Sequence, residues 1–411
     1  MSAISGLLSI GAAGYSTNEW VSEYQESIPV RNAKGLNVGT TLFGLMSQLK
    51  SEPSETVEYK WFERDPVTRI VYAQAAVASA VTGTITFDDN ASPPKTVYGI
   101  VQPGVTLRNI RTGEVVLVTS VTPTSSALCT ATVDRGFDGA AANIDDNDAW
   151  TVLTLAKDEG ADPALAVFET AETKTNYIQT FNSTVFLANA FKGSKLRTDI
   201  EGPLTERRTQ ALERIARDIE LAYLFGKAAA KTGTNGNIYF TGGIRAAVDA
   251  TVTVTGGANA LNGNGSSGTS LANVNAWFQS FMTLGSDAKL FLCGPQTYAT
   301  FSTYANSGTN GYRITGTETV FGMNITTVNT PFGTIDLAMH PLFKEIDDYN
   351  DWGVVVDLAM IVQKVMEPLF LEPNIQTPGQ DSYKEQFRAK YGLKLKFAEA
   401  FGYCYDFQKI T

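Results

Sequence analysis

In the first half of the chain, short apolar segments alternate with polar residues at every second position. The segments are rich in Val, Ile and Thr, and turn formers such as Thr112-Gly113 separate them. This alternation is typical of half-buried β-strands. The pattern predicts a small β-barrel or sandwich over residues 82–155, inserted between a strand near 57–76 and a long strand over 175–190. We expect the two flanking strands to pair with each other.

The segment 205–227 carries the strongest helix signal in the sequence. Its apolar residues recur at steps of three and four and form one stripe, as on an amphipathic helix. The stripe consists of Leu204, Leu212, Ile215, Ile219 and Tyr223. Glu213 with Arg217 and Arg214 with Asp218 are oppositely charged pairs four residues apart, a spacing that stabilises a helix by about 0.2–0.5 kcal/mol per pair. We expect the stripe to be buried and the other faces to meet water or neighbouring subunits.

Helices and strands alternate after residue 240. Residues 270–285 predict an amphipathic helix that ends at Gly285, and a buried strand and a helix starting at Pro295 follow. The apolar face of the first helix consists of Val274, Trp277, Phe278, Phe281 and Met282. The pattern indicates an α/β subdomain over about 240–345. The tail returns to strands, whereas the first sixty residues show weak periodicity and predict an extended arm with one short helical face.

Charge and hydropathy narrow the classes of function. The 411 residues carry 32 basic and 42 acidic side chains, a formal net charge of −10, without a basic cluster that could neutralise phosphates. No window approaches the twenty apolar residues of a membrane span, and no basic residue precedes Arg31 to form an export signal. We therefore expect no membrane segment. The stretch between Asp249 and Asp287 carries no charge, which suits a protein that packs against copies of itself.

Candidate catalytic and binding residues are few. His340 is the single histidine, so a His-rich metal site is excluded, and we expect His340 to be structural. The widely separated thiols predict buried, unreactive cysteines in a reducing compartment; they are Cys129, Cys293 and Cys404. We expect neither catalysis nor a cofactor.

Three other patterns are weak candidates. Residues 263–268 match GxGxxG, but no strand runs into the first glycine, so a flexible exposed loop is the favoured interpretation over a dinucleotide site. The acidic segment 144–150 lacks the glycine and the terminal glutamate of a calcium loop and predicts a solvated turn. Glu220, like Glu213 and Asp218, has arginine neighbours at helical spacing, which suits structure and not general acid work.

The order of these elements resembles the major capsid protein of tailed bacteriophages, the Johnson fold shared with herpesvirus shells. "ERIARDIELAYLFGK" is similar to the spine helix of one branch, and "GVTLRNIRTGEVVLVTSV…TVDRGFDG" resembles the β insert of its extended loop. "TPFGTIDLAMHPLF" is similar to the axial-domain strands. "QKVMEPLFLEPN" and "YGLKLKFAEAFGYCYDF" resemble the closing strands of the peripheral domain.

The resemblance implies an α+β capsid fold with five parts. They are an N-terminal arm (1–56), an extended β-hairpin loop (57–200) that carries the small β-barrel-like insert (82–155), the spine helix of a peripheral domain (201–239), an α/β axial domain (240–345) and the closing strands of the peripheral domain (346–411). It also implies a non-enzymatic subunit of hexamers and pentamers, which build an icosahedral shell around packaged double-stranded DNA without sequence-specific binding. A portal and separate scaffold or decoration proteins are the implied partners, and the host cytoplasm is the implied location before assembly.

Two other hypotheses remain open at this level. A different β-rich virion or surface protein would use the insert at 82–155 to bind a ligand. An enzyme would use the glycine-rich loop at 263–268 to bind a cofactor.

Overall fold

The computed structural model contains two compact units. The described residues are 42–44, 51–64, 69–78, 82–88, 90, 97, 99–125, 128–136, 139, 141–157, 159, 171–192, 203–251, 260–262, 270–306, 313–320, 323–345 and 347–407. Residues 62–173 form one unit, here called the inserted unit. Residues 1–61 and 174–411 form the other, here called the main unit. Most of the arm predicted at 1–56 therefore lies outside the described residues.

The inserted unit contains a closed barrel of six strands in the order β3-β4-β7-β6-β5-β8. The strands are β3 (Ile70–Ala73), β4 (Thr82–Asp88), β5 (Val105–Asn109), β6 (Val115–Pro123), β7 (Cys129–Asp134) and β8 (Ala149–Leu155). Alternate residues point inward, and the ring of the buried Trp150 meets the edge of Phe87 at 6.0 Å between centroids. Closure leaves no free edge for unwanted pairing.

The barrel begins earlier than the sequence suggested. Strand β3 pairs with both β4 and β8, so it closes the barrel instead of flanking it. The expected pairing of segments 57–76 and 175–190 holds only for a short ribbon of β2 (Glu58–Glu63) and β9 (Glu172–Tyr177). Local alternation identifies strands, but it does not identify their partners, because pairing is decided by the packing of the whole sheet.

The main unit has a four-stranded sheet in the order β1-β19-β20-β10. Its strands are β1 (Ser51–Pro53), β10 (Gln179–Ala188), β19 (Ile361–Glu372) and β20 (Ser382–Leu395). Strands β10 and β20 are antiparallel, in a continuous register from Gln179 opposite Tyr391 to Ala188 opposite Ser382. Strand β1 joins the edge in parallel with β19, so the chain just before residue 54 belongs to this sheet.

A second sheet of seven strands lies in the main unit, in the order β13-β21-β18-β14-β17-β16-β15. The strands are β13 (Ala260–Asn262), β14 (Ala288–Cys293), β15 (Arg313–Val320), β16 (Met323–Thr330), β17 (Gly333–Met339), β18 (Gly353–Val356) and β21 (Gly402–Tyr405). The sequence did not indicate β15, whose three Thr residues and one Gly give a weak apolar signal. The closing segment 346–411 contributes to both sheets, since β18 and β21 lie in this one.

Helices and one hairpin complete the main unit. They are α1 (Asn189–Lys192), α2 (Pro203–Phe225), α3 (Ile244–Thr251), α4 (Leu271–Met282), α5 (Pro295–Asn306), α6 (Pro341–Glu345) and the hairpin of β11 (Ala229–Gly233) with β12 (Gly236–Phe240). Short 3-10 turns span Asp347–Tyr349 and Ala398–Ala400. Helix α3 ends with Ala250 and Thr251, and residues 252–259 lie outside the described part of the chain.

Helix α4 packs as its sequence predicts. The Ser270 hydroxyl accepts from the Asn273 amide and caps the first turn, and all five predicted apolar residues are buried. The ring of Trp277 on this helix packs edge to face with the ring of Phe291 on β14, with centroids 5.8 Å apart. Gly285, three residues past the helix, has φ +81°, a conformation that favours glycine.

Candidate functional site

Helix α2 lies on the four-stranded sheet through the stripe defined above. Ile215, Ile219 and Tyr223 are fully buried, and Leu204 and Leu212 are partly buried against the same core. The opposing sheet residues are Phe181 and Val185 on β10 and Phe387 and Leu393 on β20. The Tyr223 hydroxyl accepts a hydrogen bond of 3.0 Å from Gln363 Nε2, and burial raises the pKa of Tyr223 well above its ordinary value.

The four charged residues predicted on the other faces of α2 are less buried. Glu213 and Arg217 are half-buried, whereas Arg214 and Asp218 are exposed. Partial desolvation raises the pKa of Asp218, and the positive charge of Arg214 opposes that shift. The proposed role of these pairs in setting the register between subunits stays a prediction.

An ion pair that the sequence did not indicate joins α2 to the sheet. Arg208 donates to the buried carboxylate of Glu385 on β20 through Nε and Nη2, with both distances at 2.7 Å. The Tyr383 hydroxyl donates to the same carboxylate at 2.8 Å. The hydrogen bonds with Glu385 raise the pKa of Arg208 further, so the guanidinium stays charged. Bidentate geometry of this kind fixes orientation as well as adding energy.

We expect Arg208→Met to lower the free energy of unfolding by about 2–3 kcal/mol, because it leaves the Glu385 carboxylate buried with one donor fewer on each oxygen. Arg208→Lys should recover only part of the loss, since an ammonium cannot donate in the forked geometry. Urea unfolding followed by circular dichroism measures both. Arg214→Met, an exposed change on the same helix, is the control and should shift stability by less than about 0.5 kcal/mol.

The sequence indicated arginine neighbours for Glu220, but its side chain lies beside the single histidine. Glu220 is fully buried, and its Oε1 lies 2.7 Å from Nε2 of His340, which is also fully buried. The single histidine therefore has a structural partner, as its position before a proline suggested. The two residues are 120 positions apart, so spacing in the sequence carried no signal for the pair.

A buried ion pair links Lys289 on β14 to Asp357, and Lys289 also holds the chain at Leu284 and Ala400. Lys289 Nζ donates to Asp357 Oδ2 at 3.1 Å and to the carbonyls of Leu284 and Ala400 at 2.8 and 2.9 Å. The side chains of Lys289 and Asp357 have no exposed surface. Burial disfavours the Asp357 carboxylate, but hydrogen bonds from the Ser286 and Ala359 amides, together with the Lys289 charge, leave its pKa below the ordinary value.

The acidic segment 144–150 in the inserted unit contains the predicted solvated turn at the exposed residues 145–147, but Asp148 beside it is buried. Arg111 donates from Nε and Nη2 to the two carboxylate oxygens of Asp148, both at 2.7 Å, and the Asp148 side chain is only 7% exposed. Asn109 Nδ2 and the Asp145 amide donate to the same carboxylate. The Arg111 guanidinium is the main reason that the pKa of Asp148 falls to about 2.

This shift predicts an acid sensitivity of the barrel. A depressed carboxylate pKa contributes stability above the unfolded value of 3.8, and the contribution is lost as the pH falls towards 2. We therefore expect the stability advantage of the parent over Asp148→Asn, measured by urea unfolding, to shrink steadily between pH 5 and pH 2. An advantage that stays constant across this range would contradict the assignment.

The remaining candidates are the three cysteines and the glycine-rich segment. Burial raises the pKa of the Cys129 thiol to about 11 and raises those of Cys293 and Cys404, so all three buried thiols are protonated at neutral pH. The glycine-rich segment 263–268 lies outside the described residues. Within the described part of the chain, no group of His, Cys, Asp and Glu side chains could hold a metal ion. No described helix is long and apolar enough to cross a membrane.

The family model of the SU10 major capsid protein matches residues 36–407, most of the chain, including both sheets and the barrel. The chain belongs to the SU10 major capsid protein family. The resemblance read from the sequence is thereby confirmed. The protein is a structural component of the virion, a major capsid protein of a phage-type shell, and homo-oligomeric assembly follows from that role.

Solved structures with similarity to this chain include phage chains and an encapsulin. A chain of Microbacterium phage Oxtober96 is 9% identical, with a TM-score of 0.44 and coverage of 94% of this SU10-family chain and 95% of that chain. A chain of Mycobacterium phage Adephagia is 10% identical, with a TM-score of 0.42 and coverage of 96% and 98%. The SrpI encapsulin of Synechococcus elongatus is 11% identical, with a TM-score of 0.41 and coverage of 59% and 80%. No curated protein matches significantly, so membership rests on the family model.

Proposed function

We propose that this capsid protein assembles into hexamers and pentamers of an icosahedral shell that encloses packaged double-stranded DNA. The family match over residues 36–407 is the observation that carries the proposal. Helix α2 supports it as a rigid rod, because its stripe is fixed on the sheet while Arg214 and Asp218 stay available to neighbouring subunits. Charge pairs on such faces set register and partner choice more than affinity.

The acidic balance of the chain suits an inner wall that encloses DNA without binding its sequence. With a net charge of −10, the subunit offers little to phosphate groups, so the genome is not held by strong electrostatic contacts. A portal and separate scaffold or decoration proteins are the further partners that we propose. Before assembly, the subunit would be in the host cytoplasm.

Negative-stain electron microscopy of the purified chain, with sedimentation velocity on the same sample, tests the proposal. Rings of five or six subunits, tubes or closed shells are the expected result. A monomer or small dimer that persists at high concentration and on co-expression with candidate scaffolds would contradict it.

A second experiment separates the shell from the alternative of a ligand-binding surface protein. Because β2 and β9 are paired, a short glycine-containing turn can join Glu63 to Glu172 and remove the barrel. The shell hypothesis expects this deletion to keep assembly and to alter only the particle surface or lattice. Loss of a surface-binding activity with no assembly in either form would favour the alternative.

A further inference from the structure

We propose that Glu220 is an internal anchor for the N-terminal arm, and that His340 is the residue that positions it. Both Glu220 oxygens accept from consecutive backbone amides of the arm: Leu42 N donates to Oε1 at 2.9 Å, and Phe43 N donates to Oε2 at 2.7 Å. Residues 42–44 are helical, and the carboxylate accepts from two consecutive amides of this segment although Glu220 is 177 residues from Phe43 in the sequence.

The side chains of the anchored residues are buried with the carboxylate. Leu42 is fully buried and Phe43 is 7% exposed, both in the core formed by α2 and the four-stranded sheet. The Phe43 ring lies 5.5 Å from the ring of Tyr391 and 6.3 Å from that of Tyr223, measured between centroids. Two apolar side chains of the arm, those of Leu42 and Phe43, therefore lie in the core. The Glu220 carboxylate accepts the hydrogen bonds of their two backbone amides.

His340 has the geometry of a positioning residue. Glu220 Oε1 accepts from Leu42 N and also lies 2.7 Å from His340 Nε2, so an ionised Glu220 requires the proton on Nε2. His340 itself is held where β17 leads into α6: its amide donates to the Cys293 carbonyl at 3.0 Å, and its ring packs 5.0 Å from Phe343. This contact orients the carboxylate towards residues 42 and 43.

The anchor holds residues 42 and 43 of the arm in the core of the main unit. A second attachment follows at Glu52, on edge strand β1, whose carboxylate pairs with Lys364 at 2.7 Å and Lys394 at 3.6 Å. The second attachment is half-exposed and lies in a solvent-screened environment, whereas the Glu220 site is fully buried. We therefore expect the Glu220 site to contribute more than the Glu52 site to holding the arm, since breaking it leaves two buried amides without acceptors.

Hydrogen exchange measured by mass spectrometry on the full chain tests the anchor directly. In Glu220→Gln, the amide side chain presents one oxygen in place of two acceptors, and we expect the peptide containing Leu42 and Phe43 to exchange at least tenfold faster. The peptide across β20 should keep the parent rate. Glu213→Gln, on the same helix but half-buried, is the matched control and should leave both peptides unchanged.

His340→Leu provides a second variant with Glu220 intact, in case Glu220→Gln does not fold. Loss of the positioning contact should speed exchange at residues 42 and 43 by a smaller factor, about threefold. Unchanged exchange at these residues in a folded variant of either kind would overturn the proposal. An equal acceleration at 42–43 and across β20 would also overturn it, because it would show general destabilisation without a local anchor.

Discussion

Asp357→Asn is expected to destabilise the main unit by about 3–5 kcal/mol, the range for breaking a fully buried ion pair from one side. The Lys289 ammonium would remain at 0% exposure with no counter-charge. One carboxylate oxygen would also become an amide nitrogen, which cannot accept from the Ser286 amide or from Lys289 as Oδ2 does at 2.7 and 3.1 Å. Urea unfolding of the unassembled chain, followed by near-ultraviolet circular dichroism, measures the loss.

A double-mutant cycle separates the pair from its surroundings. Lys289→Met removes the ammonium but leaves the Leu284 and Ala400 carbonyls without its hydrogen bonds, so it should also destabilise. The combined Lys289→Met, Asp357→Asn variant should lose less than the sum of the single changes, because it contains no buried unpaired charge. Additivity within about 0.5 kcal/mol would mean that the two side chains are not coupled.

The Asp357 carboxylate also restricts which residue can occupy position 285, in the loop between α4 and β14. A Cβ atom at Gly285 would lie 2.2 Å from Asp357 Oδ2, and the residue has φ +81°. The sequence marked Gly285 only as a helix stop. Glycine is also needed there because the Asp357 carboxylate occupies the space that a side chain would take. No local sequence pattern reveals this contact.

The contrast between α2 and its partners explains what the sequence could predict. The apolar stripe ending at Tyr223 was visible because helical spacing places its members in one short window. The contacts of Arg208 with Glu385 and of Glu220 with His340 join residues 177 and 120 positions apart. An arginine or a glutamate on a helix has the same local sequence signal whether it faces water or a buried partner, so the partner of Glu220 could not be identified from its helix.

The strands show the same difference: local patterns were visible in the sequence, whereas partners distant in the chain were not. The barrel strands were recognised by their alternation, but β3 was placed outside the barrel because its partners β4 and β8 are chosen by closure. The acidic segment 144–150 was interpreted from its composition as solvated. Asp148 is instead buried by Arg111, whose contribution could be recognised only after the barrel had brought the two loops together.

Arg135→Met is expected to destabilise the barrel by about 3–5 kcal/mol, because it leaves the buried carboxylate of Glu114 without its guanidinium partner. Arg135 donates to Glu114 from Nε at 3.0 Å and from Nη2 at 2.9 Å, and the two side chains are 0% and 3% exposed. Arg135 also donates to the Ala78 and Ala142 carbonyls. Hydrogen exchange of the β7 peptide reports on the barrel and should accelerate strongly.

Arg111→Met is the matched control in the same barrel. Its guanidinium also forms a forked pair, with Asp148, but the Arg111 side chain is 47% exposed, so water can solvate the charges that the substitution separates. The loss should be clearly smaller than for Arg135→Met; equal losses would show that burial of the arginine does not determine the effect. Glu114→Leu combined with Arg135→Met should recover part of the stability, because a pair of apolar side chains in that site leaves no unpaired charge.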